Sequence, residues 1–298
     1  DLLYRIPVEQ ETGFKTMLAN VGKINNKGFE IGIDTKIIRT QNLKWDFGAN
    51  FSYNKNVVEK IGTPAGFYTT GFASIVKEGE SLGSFYLYES LGVAKERYEY
   101  KDASGNVTKV VQPGDMLYRD VNGDGKIDPD DRTNIGNGTP SWTFGFNFNA
   151  EWKGFDLNLF LQGVTGNKVF DATYRTDVFS GNFPSWMLGR WTGEGTSNKY
   201  PILKNGDATN WQVSDLYICD GSYLRLKNIS LGYTLPKQLT QKLSISHLRF
   251  YVMAENLITW TKYWGFDPEI SSGGTSLGVD YGVYPQARTY TIGVNLSF

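Results

Sequence analysis

Apolar and polar residues alternate without exception over the last ten positions of the chain, 289–298. The apolar positions are Tyr290, Ile292, Val294, Leu296 and Phe298. Successive side chains of a β-strand point to opposite faces, so this period of two predicts a strand with one apolar and one polar face.

The same alternation occurs six more times along the chain. The apolar members of these sets fall within 29–33, 45–53, 142–152, 155–161, 229–235 and 248–254, with Phe160 as the one exception to the pattern. Residues 1–4 look like the end of a strand already under way. With 18 Tyr, 18 Phe, 8 Trp and 34 Gly but only 10 Pro, the composition suits sheets and turns. We therefore predict an all-β chain with seven strands and an N-terminal stub.

A soluble β-sandwich with one wet face would also show this alternation. Two features favour a transmembrane antiparallel β-barrel instead. Aromatic residues flank the apolar band, as Trp142 and Trp152 do, and ten residues tilted by ~40° span ~25 Å, the height of an outer-membrane apolar band. The connections also alternate between short (39–43, 153–154, 236–246) and long (55–140, 168–221, 259–286), as periplasmic turns and extracellular loops do in such barrels.

This alternation predicts an orientation and an inner face. Counting strands from any short turn places Phe298, and hence the C-terminus, on the periplasmic side. A Lys or Arg facing lipid near the midplane would cost ~2–4 kcal/mol, so the ionisable strand residues should face the lumen. These residues are Glu30, Asp34, Lys36, Asp46, Glu151, Asp156, Arg249 and Glu255.

The bulk numbers exclude several other classes of protein. Thirty Lys and Arg balance 31 Asp and Glu, which gives no reason to expect a nucleic-acid partner. Cys219 is the only cysteine, so no internal disulfide can form, and no run of 18 apolar residues predicts a membrane helix. No signal peptide opens the chain, and we expect it to be a piece of a longer protein.

One connection contains a calcium-loop pattern of twelve residues, 120–131. The ligand positions are filled by Asp120, Asn122, Asp124, Asp128 and Asp131, and by the backbone carbonyl of Lys126. Gly125 supplies the sharp turn at position six. Asp131 replaces the usual bidentate Glu, so Ca²⁺ is the expected ion and Mg²⁺ the alternative. An Asp- and Gly-rich surface turn without an ion is the competing interpretation, and either way we expect a structural role.

Little in the sequence suggests catalysis. His247 is the only histidine, so imidazole metal clusters are impossible and any Ser/His chemistry would need that residue. No G-x-S-x-G or phosphate-binding loop is present. Trp186, Trp191 and Trp211 could stack on sugar rings or could pack within a loop. We expect no catalytic residues and no enzyme.

Several segments, in order along nearly the whole chain, resemble the SusC/RagA family of TonB-dependent outer-membrane transporters. The segment 221–236, GSYLRLKNISLGYTLP, is similar to a signature of that family. Further similar segments are NKGFE (26–30), GSFY (83–86), the loop 120–131 with the following DRT (131–133), and YPQARTY (284–290).

The resemblance implies features that periodicity does not reveal. Residues 1–298 would form the C-terminal portion of a 22-stranded barrel, roughly its last eight strands, with plug and N-terminal domains outside this chain. A TonB box there would couple import to the inner-membrane proton-motive force. A SusD-like surface lipoprotein would act as a lid, the cargo would be an oligosaccharide or a peptide, and the host a member of the Bacteroidota.

Three other functions remain open at the level of sequence. An unplugged wide barrel would be a passive porin. An outer-membrane enzyme could use the calcium loop, as lipid hydrolases do. A soluble carbohydrate-binding sandwich with one calcium would dissolve without detergent.

Overall fold

The computed structural model describes residues 2–7, 13, 16–62, 66–175, 183, 185–204, 207, 209–270 and 273–298. Asp1, where the predicted N-terminal stub begins, lies outside the described residues. The strands are numbered in chain order. Those of the large sheet, called the wall, are β1 (Leu2–Pro7), β2 (Thr16–Arg39), β3 (Leu43–Ile61), β12 (Trp142–Trp152), β13 (Phe155–Thr165), β16 (Tyr223–Thr234), β17 (His247–Thr261) and β19 (Thr289–Ser297).

The connections contain shorter elements. Their strands are β4 (Phe67–Thr70), β5 (Ser74–Lys77), β6 (Ser84–Leu87), β7 (Ser90–Val93), β8 (Tyr98–Lys101), β9 (Val107–Val111), β10 (Met116–Tyr118), β11 (Thr133–Asn137), β14 (Lys168–Asp171), β15 (Ile218–Asp220) and β18 (Val279–Asp280). The helical segments are α1 (Lys237–Thr240) and 3₁₀ turns at Pro129–Asp131, Ala172–Tyr174, Ser185–Gly189, Asp215–Tyr217 and Gln241–Leu243. None of the described helices combines the length and apolar character that a membrane crossing requires.

The wall is one antiparallel sheet in the order β1-β2-β3-β12-β13-β16-β17-β19. Wall strands that are consecutive along the chain are therefore adjacent in the sheet. The expected strands and stub are all present, and the all-β prediction is confirmed. Short connections join alternate pairs. Lys153 and Gly154 form one of them with φ of 46° and 90°, values that suit the two-residue turn of a hairpin.

Several wall strands are longer than the apolar alternation predicted, and β2 and β3 extend farthest beyond it. β2 and β3 remain paired from Gly22↔Ile61 to Arg39↔Lys44, well beyond the apolar band. Beyond the band, Val58 and Ile61 pack into a small core with Val76 of the first long connection, and the ladder continues there without strict alternation. The first long connection therefore begins at residue 62 rather than at 55.

One face of the wall is apolar and exposed. Ile31 and Ile33 are each 50% exposed, and Val252 is 49% exposed. Aromatic contacts mark both edges of this band. Trp142 packs on Tyr53 at the long-connection end, with ring centroids 4.9 Å apart, and Phe155 packs on Tyr233 at the short-turn end at 4.5 Å. An exposed apolar sheet face bordered by aromatic rings is the arrangement of a wall that lies against lipid.

The three long connections pack together at one end of the wall. Their shared core contains Phe85, Tyr118, Phe170, Tyr217 and Val279, each at most 2% exposed. β14 joins the second connection to the third, because it pairs with β15 and, in parallel, with β18. The connections are therefore a folded assembly with its own core, which we call the loop assembly.

Candidate functional site

The polar face of the wall carries the ionisable residues expected to face the lumen. The register places all of them on the face opposite Ile31 and Ile33. They are Glu30, Asp34, Lys36, Asp46, Glu151, Asp156, Arg249 and Glu255. Phe160, the exception to the alternation, also lies on this face, where an added Cβ on Gly145 would sit 3.4 Å from its ring.

Ion pairs cross this face between strands at its short-turn end. Arg249 Nε lies 2.7 Å from Asp156 Oδ1, and Arg249 Nη2 lies 2.9 Å from Asp156 Oδ2. The pair spans β16, where Gly232 is the register partner of Asp156. An added Cβ on Gly232 would be 2.2 Å from Asp156 Oδ2 and 2.5 Å from Arg249 Nε, so only glycine leaves room for the pair. Lys44 and Glu151 form a second pair at 2.7 Å.

A buried charge network lies on the same face, at the end that holds the loop assembly. The side chain of Arg225 is 2% exposed, and its Nη2 lies 2.6 Å from Asp267 Oδ1. Its Nη1 lies 2.8 Å from Glu269 Oε2, and its Nε donates to Thr259 Oγ1 at 2.8 Å. Lys227 also reaches Glu269 at 2.8 Å. These bonds tie the third long connection to the inner surface of the wall.

No local sequence pattern reveals this network. Arg225 and Lys227 lie in the segment 221–236, but their acidic partners are about 42 residues away, and no local spacing relates them. The register of β16 shifts between Leu226 and Asn228, so Lys227 and Asn228 are two polar residues in succession. Such a bulge interrupts the alternation on which a sequence-based prediction depends.

Two buried acids lie side by side where β14 pairs with β18. Asp171 and Asp280 are register partners, and each is at most 1% exposed. Asp171 accepts hydrogen bonds from Thr173 N at 3.0 Å and from Trp264 Nε1 at 2.8 Å, while Asp280 accepts from Tyr263 Oη. Burial raises the pKa of the Asp171 carboxyl, and the nearby Asp280 charge adds to this rise. The acids thus link the second and third long connections.

The loop 120–131 is closed by its own side chains. Asp120 accepts from Gly123 N and Gly125 N, both at 2.7 Å. Asp131 is fully buried, and its two oxygens accept from Val121 N at 2.8 Å and Asp128 N at 2.9 Å.

The remaining candidate ligands bond to amides two residues further on. Asn122 accepts from Asp124 N at 2.9 Å, Asp124 from Lys126 N at 2.8 Å, and Asp128 from Asp130 N at 3.0 Å. Gly125 has the expected positive φ, 78°. No group of three or more His, Cys, Asp or Glu is arranged to hold a metal ion among the described residues. The positive φ of Gly125 fits the calcium-loop pattern. Ion binding by this loop stays a prediction.

The tryptophans of the second connection pack within the loop assembly. Trp211 is 4% exposed, and Trp186 lies between Tyr174, at 5.4 Å, and Tyr200, at 4.8 Å between ring centroids. Trp186 and Trp211 therefore pack within the loop assembly, which agrees with the second of the two interpretations of these residues. His247 is the first residue of β17, exposed at the short-turn end opposite Ser297.

Comparisons with known proteins match the whole chain. It is 35% identical over 315 residues to the TonB-dependent receptor P3 of Formosa agariphila, and 28% identical to the TonB-dependent receptor SusC of Bacteroides thetaiotaomicron. The match covers all of this chain but 31% and 29% of those proteins, so the chain spans about a third of their length.

A solved structure of the RagAB peptide transporter superposes on the whole chain with a TM-score of 0.79 and 28% sequence identity, and the match covers 32% of that transporter chain. No protein-family model matches. The resemblance noted in the sequence is confirmed by these relatives.

Proposed function

Since the chain is related along its whole length to TonB-dependent receptors that include SusC, we propose that it forms the C-terminal part of an outer-membrane barrel for TonB-dependent import. The observation that carries this proposal is the two-faced wall. Its exposed apolar face suits lipid, and its opposite face carries ion pairs that suit a water-filled or plugged lumen.

For the cargo, we propose an oligosaccharide or a peptide. The likeness to the RagAB peptide transporter supports a peptide, and the resemblance to the SusC/RagA family adds oligosaccharides. The loop assembly offers a folded surface at the entrance, and binding residues commonly lie on loops held by a rigid scaffold. We assign no catalytic residue and no enzymatic activity to the chain.

We further propose a SusD-like lipoprotein as a partner over the loop assembly, and TonB as the source of energy. Exposed aromatic side chains on the third connection support a protein-binding role for this end. Phe266 is 76% exposed and Tyr284 is 87% exposed, while aromatic residues are enriched at protein interfaces. In this arrangement the long connections face the cell exterior and Phe298 lies at the periplasmic edge.

For the loop 120–131 we propose Ca²⁺ as the bound ion, with Mg²⁺ as the alternative. Asp120, Asn122, Asp124, Asp128, Asp131 and the Lys126 carbonyl are the proposed ligands. The support is the pattern of oxygen donors and the positive φ of Gly125. Thr108 Oγ1 donates to the Gly125 carbonyl, so the ion would stiffen a loop that packs on the hairpin of β8 and β9.

Uptake by whole cells tests the proposed function. Labelled oligosaccharides and peptides should accumulate in cells that produce the protein, and loss of TonB or collapse of the proton-motive force should abolish the accumulation. Uptake that persists without TonB would support a passive porin instead. Lipid hydrolysis that disappears in His247→Ala would support an enzyme and contradict the transporter.

A further inference from the structure

An open groove of about 400 Å³ lies on the apolar face of the wall, close to the loop assembly. It crosses β13 and β16 and reaches Phe144 on β12 and Trp260 on β17. Its position is in the band that the proposed function places against the outer-membrane lipid, and the inference below rests on that placement.

Small residues on the two central strands create the groove. In one row across the wall, Phe144 is the register partner of Gly163, which pairs with Leu224, which pairs with Trp260. In the next row, Thr165 and Ser222 lie opposite each other, with 3.0 Å between their hydroxyl oxygens. The Phe144 ring lies over Gly163, and the rings of Phe144 and Trp260 border a floor formed by Leu224, Thr165 and Ser222.

The polar groups of this floor are satisfied within the protein. Ser222 Oγ donates to Asp220 Oδ1 at 2.6 Å, and Thr261 Oγ1 donates to the Ser222 carbonyl at 2.8 Å. A bound molecule therefore has no free hydrogen-bonding group to pair with at the floor. An apolar molecule leaves no polar group there without a partner. The ring of Trp260, which is 49% exposed, offers a further apolar surface.

The end of the groove nearest the loop assembly is charged. Lys262 is exposed there, and Asp220 lines the same end. Hydrogen bonds from Ser222, and the positive charges of Lys168 and Lys262, lower the pKa of Asp220, so this carboxylate is ionised at neutral pH. Lys168, the register partner of Asp220, opposes this carboxylate from β14, and Lys262 on the groove is the cation available to an anion.

We propose that the groove binds a lipid of the outer leaflet whose phosphate leaves it with a net negative charge, with an acyl chain over Thr165 and Ser222 and the phosphate at Lys262. The acyl chains of the surrounding leaflet are the occupants present at highest concentration beside this face. Lysine is a common point-charge ligand for phosphate. The floor and Lys262 follow one another along the groove, as the acyl chain and the charged headgroup follow one another in a lipid.

Native mass spectrometry of the protein purified in mild detergent tests the proposal. Lipid A and a zwitterionic phosphatidylcholine serve as the probes. We expect lipid A to be retained in preference to phosphatidylcholine. Lys262→Gln should reduce its retention about tenfold, because a charge-assisted contact is lost. Thr165→Leu should reduce it by filling the floor. The matched controls, Lys77→Gln and Thr69→Leu in the loop assembly, should leave retention unchanged.

Equal retention by the wild type and both groove variants would overturn the proposal, as would equal retention of phosphatidylcholine. Membrane fractionation separates this failure from that of the proposed function. A protein that reaches the outer membrane and imports cargo, but shows no lipid preference, lacks only the lipid site. A protein absent from that membrane contradicts the transporter itself.

Discussion

Arg225 and Asp267 form an almost completely buried ion pair, in which Nη2 and Oδ1 are 2.6 Å apart and the side chains are 2% and 5% exposed. Asp267 also accepts a hydrogen bond from Gln286 N at 2.9 Å, so the same carboxylate holds two parts of the third long connection. This connection reaches the wall through the network of which Arg225 is the centre.

Removing the arginine should therefore release this connection. Arg225→Ala leaves Asp267 buried without its cation, and breaking a buried pair in this way costs about 3–5 kcal/mol. Hydrogen exchange over residues 262–288 should rise sharply. Arg39→Ala removes a pair whose side chains are 40% and 35% exposed, so it should change exchange little. Unchanged exchange in Arg225→Ala would show that the connection is held by other contacts.

A side chain at position 232 should disrupt the pair between Asp156 and Arg249. Gly232→Ala places a methyl group within 2.5 Å of both side chains, and overpacking of this kind costs about 1–3 kcal/mol. The thermal midpoint, followed by the heat-dependent gel shift of the folded barrel, should fall. Gly32→Ala is the matched control on the same face, because no atom lies within 4 Å of its added Cβ. Equal midpoints for the two variants would contradict this assignment.

The carboxyl of Asp171 should make the loop assembly sensitive to pH. Its pKa is raised from 3.8 by burial, so its contribution to stability is fully present below that value and is lost as the pH rises through the raised pKa. Hydrogen exchange of residues 168–171 should therefore increase with pH beyond the intrinsic rate. Asp171→Asn should remove this dependence.

Asp102→Asn is the control for this effect, since hydrogen bonds with Asn106 lower the pKa of Asp102. The contribution of Asp102 to stability is present above the unfolded pKa and is lost as the pH falls. The free energy of unfolding therefore changes with pH in the direction opposite to that expected from Asp171. A pH dependence that survives in Asp171→Asn would assign the effect to another group.

The calcium prediction is tested by comparing substitutions at ligand positions of the loop with one at a neighbouring position that is not a ligand. Asp120→Ala and Asp124→Ala should abolish or strongly weaken Ca²⁺ binding in calorimetry while the wall stays folded. Asp130→Ala should bind the ion normally, because position eleven is not a ligand position of the loop. Calorimetry that detects no divalent cation in the unaltered protein would refute the site.

Much of the wall could be predicted from the sequence because its physics is local. Alternation along one strand, as from Tyr290 to Phe298, reports directly which face meets lipid. The partners Asp267 and Glu269 of Arg225 could not be predicted, because they are set by how a long connection folds back on the wall. The same holds for the pairing of Asp171 with Asp280, which join two connections that are far apart in sequence.

The central claim is that the wall crosses the outer membrane with the loop assembly outside. Cysteine labelling of intact cells tests it most directly, because Cys219 is buried and should not react. Ser104→Cys, in the exposed turn between β8 and β9, should react with a membrane-impermeant maleimide. Asn42→Cys, in the short turn between β2 and β3, should react only after the cells are opened. Labelling of Asn42→Cys but not of Ser104→Cys in intact cells would contradict the orientation, and labelling of neither in purified outer membranes would contradict the membrane wall itself.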